Sequence, residues 1–71
     1  MKEYTVIYEK GPNSWGAYVP DLPGCVAVGK SLEEVKERIQ GAIQMHIEGM
    51  LEDGLPIPEP TRFAGTVHVA A

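Results

Sequence analysis

Residues 15–25 read WGAYVPDLPGC and decide the fold of this chain of 71 residues. Trp15, Ala17 and Val19 fall on one face of an extended segment, and Tyr18 falls on the other. This period of two is typical of a strand that is buried on one side. The segment therefore predicts a strand that runs into a tight turn.

The turn is predicted from its prolines and glycine. Pro20 ends the strand because it has no N–H to donate to a ladder. Pro23 and Gly24 fit the central positions of a type II turn, since proline presets φ and glycine accepts a positive φ. We expect Asp21 to accept a hydrogen bond from a nearby backbone N–H and so fix the turn. A short third strand, residues 25–28, follows.

Residues 2–9 show the same alternation and predict the first strand, with Tyr4, Val6 and Tyr8 on one face. The sequence KGPNS, residues 10–14, is a cluster of turn formers. Three short strands joined by tight turns predict an antiparallel meander.

A long helix is predicted over residues 31–53. Ser31 is the expected N-cap, and Glu34 at the third helical position completes a capping box. Gly41 in mid-helix suggests a close approach of the helix to the sheet, and Gly54 is the expected C-terminal stop. Apolar residues recur at spacings of three and four, as in an amphipathic helix: Leu32, Val35, Ile39, Ala42, Ile43, Ile47, Met50 and Leu51.

After the helix, Pro56, Pro58 and Pro60 indicate an extended connector over residues 55–65. Residues 66–69 then predict a last strand that lies beside strand one. The predicted fold class is α+β, in the order β-β-β-α-β, with one long helix on one face of the sheet.

Composition limits how this chain can be stabilised. A chain of 71 residues makes one domain, residues 1–71, and buries only about 60% of its extended surface. Its single cysteine, Cys25, forms no intramolecular disulfide, and scattered Cys and His residues make no zinc cluster. We therefore expect a homo-oligomer, a dimer or higher, or a complex with a partner.

The charge of the chain limits the kinds of partner that it can bind. The net charge is −4 and the basic residues are spread along the chain, which argues against direct binding of nucleic acid. Acidic residues concentrate in the predicted helix, which either attracts a basic partner or is an ordinary solvated face. No apolar run is long enough to span a membrane, and no leader peptide is recognisable, so we expect a cytoplasmic protein without membrane contact.

The order of these segments resembles the HicB-like antitoxin family. The resemblance rests on residues 4–9, 15–25, 29–35 and 54–60. It implies a truncated ribonuclease H-like fold and a non-catalytic antitoxin that occludes a small basic HicA-like toxin, which cleaves messenger RNA. Many members add a C-terminal DNA-binding module, and the 71 residues leave no room for one, so a short form is expected.

Candidate chemistry is sparse. Ribonuclease H-type catalysis needs carboxylates that converge on two metal ions, and nothing in the sequence brings Glu3, Glu9 and Asp21 together. Cys25 lacks a recognisable histidine partner, so a small strand residue is the simpler interpretation. We expect no enzyme activity, no cofactor and no metal.

Apolar residues on both faces of the sheet predict an interaction surface, unless they are ordinary scattered surface aromatics. Pro23, Gly24, Ser31 and Glu34 are assigned to the turn and the cap. The alternative function is an orphan homo-oligomeric module with a structural or ligand-binding role. The predicted partner or oligomer interface comprises Ile7, Trp15, Tyr18, Asp21, Leu22, Glu33 and Glu37.

Overall fold

The computed structural model describes residues 2–70 and contains a three-stranded sheet and one helix. The strands are β1 (Ile7–Lys10), β2 (Trp15–Tyr18) and β3 (Val26–Gly29), and the helix is α1 (Leu32–Glu52). The sheet is antiparallel in the order β1-β2-β3, which confirms the predicted meander. The helix contacts β2 and β3 and covers one face of the sheet.

The first strand is shorter than predicted because β2 ends at Tyr18, which leaves the residues before Ile7 without a strand to pair with. Ile7 pairs with Tyr18, so the same register would place Thr5 opposite Pro20. Proline has no N–H for a ladder. The backbone N–H of Val19 donates to the carbonyl of Cys25 at 3.2 Å, which continues the pairing of β2 with β3, so the ladder ends only on the β1 side. Residues 2–6 are therefore extended but unpaired by strand hydrogen bonds.

The core lies where the first half of α1 covers β2 and the turn. Its buried apolar residues are Ala17, Val19, Leu22, Cys25, Val35 and Ile39. A strand of four residues spans roughly 13 Å, whereas a helix of 21 residues spans about 31 Å. The second half of α1 thus extends past the sheet. Leu51, which was predicted in the buried stripe, is 63% exposed for this reason.

Both helix ends follow their sequence signals. The Ser31 hydroxyl accepts from the N–H of Glu34 at 3.1 Å. The Glu34 carboxylate accepts from the N–H of Lys30 at 2.9 Å, one residue earlier than the usual capping box. At the other end Gly54 has φ 68°, and the N–H of Leu55 donates to the Met50 carbonyl, which is a Schellman motif.

The predicted reason for Gly41 is wrong, and a different glycine makes a close approach. A Cβ on Gly41 would meet nothing within 4 Å. A Cβ on Gly29 would lie 3.0 Å from the backbone nitrogen of Val35 and 3.2 Å from the Glu34 side chain. Gly29 therefore lets the end of β3 lie directly against the first turn of the helix.

The structure shows no fourth strand among residues 2–70. Residues 66–69 are exposed and belong to no strand. The chain does return beside the N-terminal segment, but earlier: Lys2 pairs with Glu59, and the Thr5 hydroxyl donates to the Arg62 carbonyl. Residues 59–62 thus run parallel to residues 2–5. Proline interrupts this stretch and lacks the N–H that a ladder needs, so side chains make these contacts.

Candidate protein-interaction site

Asp21 is the most constrained polar residue of the fold. Its carboxylate accepts from the Thr61 N–H at 2.9 Å and the Thr61 hydroxyl at 2.6 Å. It also accepts from the Arg62 N–H at 3.3 Å and from the Arg62 guanidinium at 2.6 Å. The predicted local hydrogen bond within the turn is therefore wrong, because the donors lie forty residues further along the chain. We call this arrangement of Asp21, Thr61 and Arg62 the clamp.

The clamp stabilises the ionised form of Asp21. Hydrogen bonds from the Thr61 side chain and backbone are the main cause that lowers the pKa of Asp21 from 3.8 to about 2, and those from Arg62 add to it. Burial acts in the opposite direction. The clamp ties the connector to the turn. A further hydrogen bond, from the Tyr4 hydroxyl to the Pro58 carbonyl, ties the connector to the N-terminal segment.

The turn has the predicted geometry. Gly24 has φ 84°, and the N–H of Cys25 donates to the Leu22 carbonyl at 3.0 Å, so Pro23 and Gly24 occupy the central positions of a type II turn. This turn projects Leu22 into the core, where its side chain is fully buried. Leu22 and Asp21, both predicted as interface residues, are thus buried inside the fold.

A largely apolar surface covers the side of the sheet that faces away from the helix, with the exposed Glu9 on β1 opposite Gly16 as its charged member. Cross-strand partners share a face, and the pairs Ile7–Tyr18 and Tyr18–Val26 form one row of it. Val28 lies on the same face opposite Gly16. Tyr18, Val26 and Val28 are 40%, 63% and 66% exposed. We call Ile7, Tyr18, Val26 and Val28 the outer sheet face.

Sequence reasoning found only half of the outer sheet face. Ile7 and Tyr18 were predicted as interface residues, and the register brings them together. Val26 and Val28 were missed, although their alternation with Ala27 was a visible signal. Trp15, in contrast, lies on the core side of the sheet, half-buried, with the Lys10 ammonium 6.0 Å from its ring centroid.

The predicted acidic residues lie elsewhere. Glu33 and Glu37 are exposed and one turn apart on α1. The helix covers the opposite side of the sheet from the outer sheet face, so the structure does not join these carboxylates with Tyr18 in one surface. The molecule presents an apolar layer on one side and an acidic helix on the other.

A third feature was not foreseen from the sequence. An open apolar groove of about 310 Å³ lies between the N-terminal segment, the helix and the connector. It was missed because its residues are distant in sequence and meet only through the folded connector. The groove is lined by Lys2, Tyr4, Ile43, Ile47 and Ile57.

The described residues offer little catalytic chemistry. Within residues 2–70 no group of three His, Cys, Asp or Glu side chains is placed to bind a metal ion. Cys25 is buried, and burial raises the pKa of its thiol, which disfavours the nucleophilic thiolate. The helix described here is too polar to cross a membrane.

A family model described as "HicB_like antitoxin of bacterial toxin-antitoxin system" matches residues 4–70. The chain belongs to this family of antitoxins. A UPF0150 protein of Thermoplasma acidophilum is 36% identical over 67 residues, which cover 93% of this chain and 97% of that protein. A UPF0150 protein of Helicobacter pylori is 41% identical over 49 residues, or 69% of this chain and 68% of that protein.

One relative is much longer than this chain. An uncharacterized 14.9 kDa protein of Haemophilus phage HP1 is 41% identical over 56 residues, which cover 79% of this chain and only 42% of the phage protein. Among solved structures, a chain of the "HicA3 and HicB3 toxin-antitoxin complex" superposes with a TM-score of 0.71. The two are 27% identical, and the match covers 84% of this chain and 70% of that one.

Proposed function

We propose that this protein is a non-catalytic antitoxin that binds a small basic, messenger-RNA-cleaving toxin in the cytoplasm and covers its active surface. The observation that carries the proposal is the likeness to a chain solved within a toxin-antitoxin complex, at 27% identity and a TM-score of 0.71. An antitoxin that inhibits a toxin by covering its active surface needs a contact surface and no catalytic residue of its own. This agrees with the sparse chemistry of residues 2–70.

The outer sheet face is the proposed contact with the toxin. Tyr18 is an amphipathic aromatic residue of the kind enriched in energetically important contacts. Val26 and Val28 extend its apolar surface and are more than half exposed. Burying such side chains against a partner contributes about 25 cal/mol per Å² of apolar area. While they are exposed to water, these side chains contribute no burial free energy to the stability of a monomer.

The acidic helix is proposed to guide the encounter. Glu33 and Glu37 lie in the first turns of α1 without a basic residue bonded to them among the described contacts. A basic toxin is attracted by such a surface, which raises the association rate more than the final affinity. Apolar contact and charge thus have separate roles, the first in holding the complex and the second in forming it.

Co-expression and co-purification with a small basic HicA-like toxin test the proposal. Tyr18→Glu places a charge in the outer sheet face and is expected to weaken the complex at least tenfold. Gln40→Glu adds the same charge at an exposed position of α1 and is the matched control, expected to bind as the wild type does. Failure of the purified wild-type pair to associate at micromolar concentration would overturn the proposal.

The groove favours a second candidate, an orphan module that binds a small apolar ligand. Its volume of about 310 Å³ lies at the lower end of the range of ligand pockets. Under this alternative, an apolar fluorescent probe such as anilinonaphthalene sulfonate binds saturably, and Ile47→Trp, which fills the groove, abolishes binding. Binding that persists in Ile47→Trp would exclude the groove as the site.

A further inference from the structure

Gly16 lies in the middle strand of the sheet, where the fold does not require a glycine. Its φ is not positive, since the positive-φ glycines of residues 2–70 are Gly24 and Gly54. A Cβ on Gly16 would come no closer than 4.0 Å to the carbonyl oxygen of Ala27, which is an ordinary contact distance. A glycine inside a strand weakens the strand and often marks a place where another molecule approaches closely.

The missing side chain leaves a gap on the side of the sheet that faces away from the helix. Gly16 pairs with Glu9 on β1 and with Val28 on β3, so these two side chains stand on either side of it. Adjacent strands are about 4.8 Å apart, so β1 and β3 are separated by about 10 Å across the gap. Tyr18, two residues along β2, stands on the same face and closes one end. We call Glu9, Gly16, Tyr18 and Val28 the notch.

Glu9 is the charged wall of the notch. Its side chain is exposed, and the ion pairs of residues 2–70 involve other carboxylates. The adjacent basic residue, Lys10, pairs with Trp15 on the core side of the sheet, where its ammonium lies 6.0 Å from the ring centroid. In the free chain the Glu9 carboxylate is therefore solvated by water.

A partner that covers the outer sheet face changes the surroundings of Glu9. Burial of Tyr18 and Val28 also excludes water from the carboxylate beside them. An ionised carboxylate that loses its water without gaining a counter-charge is strongly destabilised. The partner must therefore bring a cation to this point of the sheet.

An arginine side chain fits the notch better than a lysine side chain. Its unbranched stem can lie over Gly16, and its guanidinium can donate two parallel hydrogen bonds to a carboxylate. A guanidinium also stacks on aromatic rings such as that of Tyr18. A lysine ammonium is more strongly hydrated and pairs as a point charge. The notch thus combines a carboxylate and an aromatic ring, the two groups that a guanidinium uses.

We propose that the notch receives an arginine side chain of the toxin, whose guanidinium pairs with Glu9 and stacks on Tyr18. This inference rests on the proposed function and names the group that the sheet recognises on its partner. Charge then contributes to the final affinity on this side of the sheet, whereas the acidic helix on the other side contributes to the association rate.

Filling the notch separates recognition from stability. Gly16→Val occupies the space of the guanidinium, and the free variant is expected to unfold at an equal or higher urea concentration, because valine favours a strand. Its dissociation constant for a small basic HicA-like toxin is expected to rise at least tenfold. Gly41→Val makes the same change at an open position of α1 and is the matched control, expected to bind as the wild type does.

Neutralising Glu9 tests the ion pair. Glu9→Gln keeps the size of the side chain and is expected to raise the dissociation constant at least tenfold. Glu52→Gln changes the net charge equally at an exposed position of α1, and wild-type binding is expected. Each arginine of the toxin is then replaced by Gln, alone and together with Glu9→Gln. For one of these arginines the two losses of affinity are expected not to add.

The outcomes distinguish the notch from the proposed function. A wild-type pair that associates, together with Gly16→Val and Glu9→Gln variants that bind as tightly, would overturn the notch and leave the proposed function standing. Losses that add for every toxin arginine would overturn the pairing with a guanidinium. Failure of the wild-type pair to associate at micromolar concentration would overturn both.

Discussion

Asp21 shows how one residue joins distant parts of this chain. Its carboxylate accepts four hydrogen bonds from Thr61 and Arg62, and these contacts fix the connector against the turn. The charged form accepts all of them, and a protonated carboxyl would have to give up at least one. The clamp therefore depends on the ionisation of Asp21.

Acid is expected to weaken the fold through Asp21. Its pKa is about 2 in the folded chain against an ordinary 3.8. A lowered folded pKa contributes stability that is fully present above the unfolded value and is lost as the pH falls through the folded value. Thermal melting of the wild type between pH 5 and pH 2 should therefore show a loss of stability beginning near pH 4. Asp21→Asn, which cannot titrate, should show a shallower dependence over this window. Equal slopes in the two proteins would contradict the role of the clamp.

Alanine in place of Gly29 is expected to lower the free energy of unfolding, whereas alanine in place of Gly41 is expected to raise it. Gly29→Ala places a Cβ 3.0 Å from the backbone nitrogen of Val35, which must shift. Overpacking of this kind costs about 1–3 kcal/mol. Gly41→Ala meets open space and raises helix propensity, so a gain of up to about 1 kcal/mol is expected. Urea unfolding of the two variants measures both free energies. A Gly29→Ala protein as stable as the wild type would show that β3 and α1 are not in close contact.

At the scale of elements, the features that the sequence predicted correctly are those that depend on a few neighbouring residues. The turn at Pro23 and Gly24, the cap at Ser31 and the stop at Gly54 were all visible in a few neighbouring residues, and the structure confirms them. The meander and the α+β class followed from the spacing of those signals.

What the sequence did not reveal depends on contacts between distant segments. Nothing near Asp21 indicates that Thr61 is its partner, because donors forty residues away leave no local pattern. The reason for a glycine likewise depends on what faces it, so Gly41 was misassigned and Gly29 was overlooked. The predicted last strand, residues 66–69, has a strand pattern that its own chain does not use.

The turn is expected to control both stability and binding. Gly24 has φ 84°, a conformation that a β-branched residue adopts only with strain, so Gly24→Val should cost about 1–3 kcal/mol. The turn sets the register of β2 and β3, and a slipped register moves Tyr18 off the outer sheet face. Lower unfolding midpoint and weaker toxin binding should therefore appear together.

Glu34→Ala is the contrast to the turn variant. It removes the hydrogen bond from the N–H of Lys30 and the exposed ion pair with Arg38 at 3.4 Å, while the Ser31 cap remains. Its cost should stay under about 1 kcal/mol, with binding intact. A Gly24→Val protein that melts like the wild type yet fails to bind would make the turn a contact site rather than a structural element.

At the scale of the whole molecule, two surfaces are spatially separate. The outer sheet face is largely apolar, and the helix on the other side of the sheet carries exposed acidic residues in its first turns. Under the proposed function, the first surface holds the toxin and the second attracts it.

The kinetics of toxin binding should separate the roles of these surfaces. Replacing Glu33 and Glu37 with Lys reverses charge on the helix, so the association rate with a basic toxin should fall and its dependence on salt should weaken. Tyr18→Glu should mainly raise the dissociation rate, because it removes buried apolar contact. Surface plasmon resonance at two salt concentrations measures both rates. If charge reversal on the helix raised the dissociation rate as strongly as Tyr18→Glu, the toxin would contact the helix directly. The outer sheet face would then be free for another partner.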